Sequence, residues 1–390
     1  MAKLVFWISL GIVFYSYVGY GLTLWIMVKI RKKYFPRPIY ADPAYEAPVS
    51  LVVAAYNEQD FIEMKIKNTL ELNYPPEKVQ LLFVTDGSSD KTPEIISRNK
   101  RIQLLHKPER SGKVAAMHRA MTYVNNPIVI FCDANTLLNK ECIREIVKHY
   151  ADPTVGGVAG EKKILKIGDD HVAGAGEGLY WKYESFLKKL DAEWYTVVGA
   201  AGELFSVRTA LYENVGDNII LDDFVISLRV CLKGYRIEYE PAAYATEAPS
   251  SSIADEQKRK IRISAGAFQS MHLLKEILNI FKYPKLSFQY ISHRVLRWTV
   301  CPPALVLIFV SGAYLAFESP GWFYLVVFVA QVLFYLAAIV NWAMEKNGAG
   351  LKLLYVPYYF VFMNISLILG FFRYMRGRQT VLWEKAARSK

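Results

Sequence analysis

Four uncharged, strongly apolar runs, Leu4 to Val28, Trp298 to Phe317, Ser319 to Met344 and Leu353 to Phe372, lie towards the two ends of the chain. A helix needs roughly 20 apolar residues to cross the hydrocarbon core of a bilayer, and each run meets that length. The chain is therefore read as integral to a membrane, and everything else must fold between the first run and the second. Leu4 to Val28 is too long for the apolar part of a signal peptide and is followed by basic residues, so it reads as a retained anchor.

Lys29, Arg31, Lys32, Lys33 and Arg37 crowd the exit of the first run, and the positive-inside bias places them in the cytoplasm. The expected address is the cell's inner membrane, crossed several times, with the middle of the chain cytoplasmic. Three further spans would put the tail outside, yet Arg373, Arg376, Arg378, Lys385, Arg388 and Lys390 face only Glu384 there. Either the last run is re-entrant or interfacial, or the tail is external despite its charge; four full spans are the expectation. The organisation expected is an anchor over 1–29, a cytosolic domain over 30–297 ending in an amphipathic interfacial stretch, a membrane region of two or three spans over 298–372, and a basic tail over 373–390.

Among 390 residues, 53% hydrophobic and 21% charged positions exclude disorder as the main theme. The excess of 47 Lys+Arg over 36 Asp+Glu, a net +11, suits an acidic partner, a membrane surface, nucleic acid or a phosphorylated substrate, and charge alone does not choose between them. Cys132, Cys142, Cys231 and Cys301 show neither CxxC spacing nor histidines at metal-ligand intervals, so reduced thiols are expected rather than a disulfide framework or a zinc site.

Inside the middle segment the pattern changes to short aliphatic runs alternating with amphipathic stretches, the rhythm of an α/β domain. Strands are expected at Val49 to Ala54, Gln80 to Val84, Ile102 to Leu105 and Ile128 to Cys132, and helices at Gln59 to Leu72, Pro93 to Asn99 and Lys113 to Val124. Open sheets of this kind bind ligands at the carboxyl ends of their strands. The residues there are Tyr56-Asn57-Glu58, Asp86-Gly87-Ser88-Ser89-Asp90, His106-Lys107-Pro108 and Asp133-Ala134-Asn135. The run from Asp86 to Thr92 lacks the spacing of a phosphate-binding P-loop and reads as a turn into a helix N-cap. Asp133 and Asn135, two apart at a strand end, could face one hard cation or make an ordinary turn.

The ordered motifs VVAAYNE (Val52 to Glu58), VTDGSSD (Val84 to Asp90), SGK (Ser111 to Lys113), CDAN (Cys132 to Asn135) and LDDF (Leu221 to Phe224) resemble those of family 2 glycosyltransferases. With flanking spans, the chain is similar to the membrane-embedded branch that includes the cellulose, chitin, hyaluronan and poly-N-acetylglucosamine synthases. The resemblance implies a GT-A fold, an α/β nucleotide-sugar-binding domain flanked by transmembrane helices. It implies inversion at the anomeric carbon, Mg²⁺ or Mn²⁺ as cofactor, and a nucleotide-sugar donor, UDP-linked by expectation. The acceptor would be a glycan or a lipid-linked species. The bilayer is the other partner, nucleic acid is not one, and export or assembly partners remain open. Extracellular polysaccharide or cell-envelope glycan synthesis is the setting implied; the alternatives are a single-sugar transferase to a lipid carrier and a catalytically silent nucleotide-sugar-binding subunit.

Residue by residue, the resemblance puts the nucleoside against Tyr56, Glu58 and Asp86, with Lys113 close by, and the cation on Asp133 and Asn135. Asn135 stands where the family has a second carboxylate. Asp223 is the expected general base, with Asp222 and Glu203 on the acceptor side, although acids at a helix start also complement its dipole. Arg259 and Arg262 occupy the place of the family's Gln-x-x-Arg-Trp and suit a diphosphate or a membrane surface. Ile263 replaces the Trp, which weakens an expectation of processive polymerisation. His171, His272 and His293 are read as surface or interface residues, Trp322 and Trp342 as interfacial anchors, and Trp383 as part of an amphipathic tail that could pack back on the site.

Overall fold

The apolar runs expected as strands do pair, and they pair in parallel. In the computed structural model, which describes residues 1–36, 41–165, 172–248, 253–345 and 350–377, the chain begins with a helix, α1 (Ala2–Tyr34), carrying a π-helical turn at Tyr15–Gly19. The elements that follow are β1 (Val49–Ala55), α2 (Ile62–Leu70), β2 (Val79–Asp86), α3 (Thr92–Ser97), β3 (Gln103–Lys107), α4 (Lys113–Met121), β4 (Ile128–Asp133), β5 (Thr136–Leu138) and α5 (Cys142–Val147). Then come β6 (Val155–Ile164), α6 (Val172–Trp194), β7 (Leu204–Arg208), α7 (Asp222–Leu232), β8 (Arg236–Glu247) and α8 (Ile253–Leu273). The chain ends in α9 (Pro284–Glu318), α10 (Phe323–Glu345) and α11 (Tyr355–Met375).

The strands form one mixed eight-stranded sheet in the order β3-β2-β1-β4-β7-β6-β8-β5. β1 is buried along its whole length, as expected of a central parallel strand covered on both faces. Alternation divides its side chains: Val52 joins Leu82, Val84, Val129 and Phe131 in one core, while Leu51 and Val53 join Leu81, Phe83, Ile130 and Cys132 in the other. Each large side chain buried this way stabilises the fold by about 1.5–3 kcal/mol. The strand order turns back between β1 and β4, so their carboxyl ends open a crevice.

α1, α9, α10 and α11 are long and apolar enough to cross a membrane. Many of their large apolar side chains, such as Leu333, Ile339 and Val310, face outwards, which suits a lipid surround. One expectation changes here. α9 starts at Pro284, well before Trp298, because a π-helical stretch (Ile291–Val300) carries polar residues through the helix. α11 is unbroken, since Pro357 falls in its first turn, where a missing N–H costs little.

The histidines divide. His272 is exposed, whereas His293 is fully buried, which corrects the surface half of its reading: its Nδ1 lies 2.6 Å from Asp191 Oδ2. Glu184, on α6 with Asp191, receives Arg294 at 3.0 Å and Arg297 at 2.7 Å, and Asp191 also accepts from Tyr20 of α1 at 2.5 Å. Burial works against the Glu184 charge, but Arg294, His293 and Arg297 hold its carboxyl well below the usual range. His171 and Trp383 lie outside the described residues. Trp342 is exposed on α10, and Trp322 is exposed just ahead of it.

Candidate active site

The loop after β1 is stapled to the loop after β2. Asn57, the one described non-glycine residue with positive φ, accepts from the Ser89 N–H at 2.8 Å, while Glu58 N–H donates to Thr92 Oγ1 at 2.8 Å. Asp90 accepts from the Thr92 N–H at 2.9 Å and from the Gln59 N–H at 3.0 Å, so the run after β2 is turn and cap chemistry that shapes its neighbour. Asp86 is buried and accepts from the backbone N–H groups of Ser111 at 2.7 Å and Gly112 at 2.6 Å, fixing the entry to α4. Gly87 (φ 68°) is required, since a Cβ there would meet Arg110 Cβ at 2.5 Å.

α4 thus aims Lys113 at the end of β4, where its Nζ lies 2.5 Å from Asp133 Oδ1. Burial opposes the ammonium charge, but Asp133, Asp222 and Asp223 outweigh it and hold Lys113 protonated. Across the cavity, α7 begins with Asp222 and Asp223. A Cβ on Gly202 would lie 3.3 Å from both Asp223 Oδ2 and Lys113 Nζ, so the missing side chain keeps these two groups within reach of one ligand. The Asp223 carboxyl is pushed up to about 7, first by burial and then by Asp222, against the pull of Lys113. A carboxyl with that pKa is matched to proton transfer near neutral pH.

These groups line a cavity of about 1040 Å³ that also takes in Glu58, Asn135, Glu203, Arg259 and Arg262, and reaches Tyr17 of α1, Trp298 of α9 and Tyr355 of α11. Residues 50–216 match the family model described as "Glycosyl transferase family 2". The chain carries a family 2 glycosyltransferase domain. It is similar to the poly-beta-1,6-N-acetyl-D-glucosamine synthase of Staphylococcus aureus (strain MSSA476), 26% identical over 60% of this chain and 57% of the relative. It is also similar to that of Staphylococcus epidermidis, 24% identical over 66% of this chain and 64% of the relative. The matched part thus spans less than two thirds of either relative. Among solved structures, a mannosyltransferase from Pyrobaculum calidifontis in complex with GDP-Man and Mn²⁺ shares the fold with TM-score 0.72 and 21% identity, over 97% of this chain and 100% of that one.

Within this domain and the helices around it, the expected site residues are only partly gathered. Glu58, Lys113, Asp133, Asn135, Glu203, Asp222, Asp223, Arg259 and Arg262 line the large cavity. Tyr56 and Asp86 line a small adjoining pocket instead, and the Arg110 guanidinium covers the Tyr56 ring. Glu203 is bound to Lys162 at 2.6 Å; burial opposes its charge, but Lys162 keeps it ionised, and Lys162 also binds Glu247 at 2.5 Å. Arg259 is paired with Glu256 at 2.9 Å. Asp133 and Asn135 offer hard oxygen donors at one cavity wall, and among the described residues no cluster of three His, Cys, Asp or Glu side chains is placed to hold a metal. That donor set fits a Mg²⁺- or Mn²⁺-type ion only if substrate oxygens and water complete its shell.

Sequence reasoning did not find Trp181, Glu184 and Lys188 of α6, nor Arg294, Arg297 and Arg373, all of which line the cavity. α6 carries no motif. The available signal was the cluster of His293, Arg294 and Arg297 just ahead of an apolar run, since cations at that depth require partners.

Proposed function

We propose that this glycosyltransferase moves a sugar from a nucleoside diphosphate donor, UDP-linked, to an acceptor hydroxyl with inversion at the anomeric carbon. The convergence of Lys113, Asp133 and Asp223 on one cavity carries this reading. The nucleobase would pack on Tyr56 beside Asp86 and Glu58, and the diphosphate would meet Lys113, with Arg259 closing from α8. Asp133 and Asn135 would hold a divalent cation, which, when bound, offsets charge developing on the leaving diphosphate.

The protein's own groups do the rest. Lys113 places a fixed positive charge where the diphosphate departs, at no reorganisation cost during reaction. Asp223 accepts the acceptor proton as that oxygen bonds to the anomeric carbon, and the donor C–O bond breaks on the opposite side, with its electron pair leaving on the nucleoside diphosphate. One displacement from the opposite face inverts the centre.

The basic residues after α1 favour a cytoplasmic catalytic domain in a multi-pass inner-membrane protein. The staphylococcal relatives make N-acetylglucosamine sugars the first donors to test, in envelope or extracellular glycan synthesis. Purified full-length protein should release UDP from one member of a nucleotide-sugar panel in a Mg²⁺- or Mn²⁺-dependent manner, and Asp223→Asn should abolish transfer. Release unaffected by a chelator would sink the cation assignment, and no turnover with any donor would favour a silent subunit.

A further inference from the structure

Two arginines at the membrane-facing end of the cavity have no hydrogen bond or ion pair among the described residues. Arg262, on α8, carries a buried Nε with no partner and lines the cavity. Arg373, in the last turn of α11, lines it too. The two are neighbours because the helices touch: a Cβ on Gly370 would lie 2.4 Å from Ser264 Cβ and 2.9 Å from the Ala265 nitrogen. Burial works against the Arg262 charge and Arg373 adds to that, with Asp222 opposing. Bringing two guanidinium groups together in a buried place is unfavourable unless an anion joins them.

Depth and lining identify the anion. Arg373 stands where the apolar stretch of α11 ends, and the contact of that end with α8 puts it at the headgroup level on the catalytic domain's own side, so α11 is taken as the re-entrant or interfacial segment and not as a fourth full span. From there the cavity follows one face of α11 through Leu367, Met363, Tyr359 and Tyr355, four positions four residues apart. At 1.5 Å per residue that face is about 18 Å long. Trp298 of α9 lines the same space. An apolar arm ending in unpaired cations is complementary to an amphiphile with a negative head. A neutral growing glycan would meet no counter-charge here, and next to the arginines Leu367 and Met363 offer it no hydrogen bonds, the hydroxyls of Tyr359 and Tyr355 lying further along.

We propose that the acceptor is a saccharide carried on a lipid phosphate or diphosphate, with the phosphate between Arg262 and Arg373 and the lipid chain along α11. This rests on the transferase reading above. The reacting group is a sugar hydroxyl and not the phosphate, because a phosphate oxygen is already ionised at neutral pH and needs no base, whereas Asp223 is built as one. The hydroxyl proton passes to Asp223, the hydroxyl oxygen bonds to the donor's anomeric carbon, and the nucleoside diphosphate leaves with the electron pair. The lipid phosphate is unchanged and serves as a handle.

The test uses the full chain in detergent micelles, with geranylgeranyl phosphate as probe and geranylgeraniol, inorganic phosphate and a neutral N-acetylglucosamine oligosaccharide as comparisons. Geranylgeranyl phosphate should bind at least about tenfold more tightly than each comparison, and affinity should rise along the series geranyl, farnesyl, geranylgeranyl phosphate. Arg373→Gln should weaken it about tenfold or more, well beyond any loss in UDP affinity, and Leu367→Trp should shorten the chain length accepted. Melting curves screen both variants for misfolding, and the chain-length series needs no variant. Equal affinity for geranylgeraniol, tighter binding of the oligosaccharide, or equal losses for UDP and lipid phosphate in Arg373→Gln would overturn the proposal. Absent binding of UDP and UDP-sugars, with lipid binding intact, would instead remove the transferase reading.

Discussion

The Arg110 guanidinium lies 3.9 Å from the centre of the Tyr56 ring, over its face. The aromatic residue expected to receive the nucleobase is therefore already used as a stacking platform by a cation on the loop that leads into α4. Stacking of a base on an aromatic side chain is worth about 1–3 kcal/mol, so Tyr56→Ala should weaken UDP binding roughly tenfold or more, and Tyr56→Phe should not. Calorimetric titration with UDP distinguishes the two; equal losses would point to the hydroxyl instead.

Asp223→Asn should lower turnover by roughly 10²-fold or more while UDP affinity is retained. For the unsubstituted protein, kcat should rise with pH through about 7, because only the ionised carboxyl is a base and burial with Asp222 raises its pKa to that value. Stability runs the other way: the folded state holds this proton up to about 7 while an unfolded aspartate releases it near 3.8, so this group's contribution to stability falls as pH rises between those values. Asp223→Asn should therefore melt at a higher temperature than the parent at pH 8.

Asp133→Ala should abolish divalent-dependent donor binding, whereas Asn135→Asp should be tolerated or should tighten the cation by adding charge to an oxygen site. Titration of UDP with and without Mn²⁺ reads both. Undiminished binding of UDP in chelator would show that Lys113 and Arg259 suffice.

Glu184→Ala should cost about 3–5 kcal/mol, because Arg294 and Arg297 would be left buried without their carboxylate. A lower melting temperature in detergent is the readout, and Glu184→Asp should recover part of it.

Orientation can be read with an impermeant maleimide, since all four native cysteines are buried. Lys100→Cys, at an exposed site beyond α3, should label only after lysis, and Glu318→Cys, at the exposed end of α9, should label in intact spheroplasts. The opposite pattern would invert the topology.

The sequence was most informative where function follows a buried strand. β1, β2 and β4 are apolar runs because both faces of the sheet are covered, and their ends are marked by the first polar residues after them, hence Tyr56, Asp86 and Asp133. The third strand slid from Ile102–Leu105 to Gln103–Lys107, as befits an edge strand whose pattern is only half apolar. What stayed hidden depends on distance along the chain. Asp191 meets His293 across a separation of 102 residues and Glu184 meets Arg297 across 113, on a helix whose pattern reads only as amphipathic. Glu203 read as an acceptor contact, and its bond to Lys162 on β6 could not be seen without the sheet order.

The grip of α6 on the membrane helices has a mechanical consequence. Glu184 and Asp191 clasp α9 through His293, Arg294 and Arg297, and α1 through Tyr20, within the helix that also brings Trp181 to the cavity. A catalytic domain clamped in this way cannot tilt or lift on its tether, so the reaction centre keeps one altitude above the bilayer. On the proposed reading, an acceptor would have to present its hydroxyl at that altitude, and the clamp would act as a ruler that selects among acceptors by how far they project from the membrane.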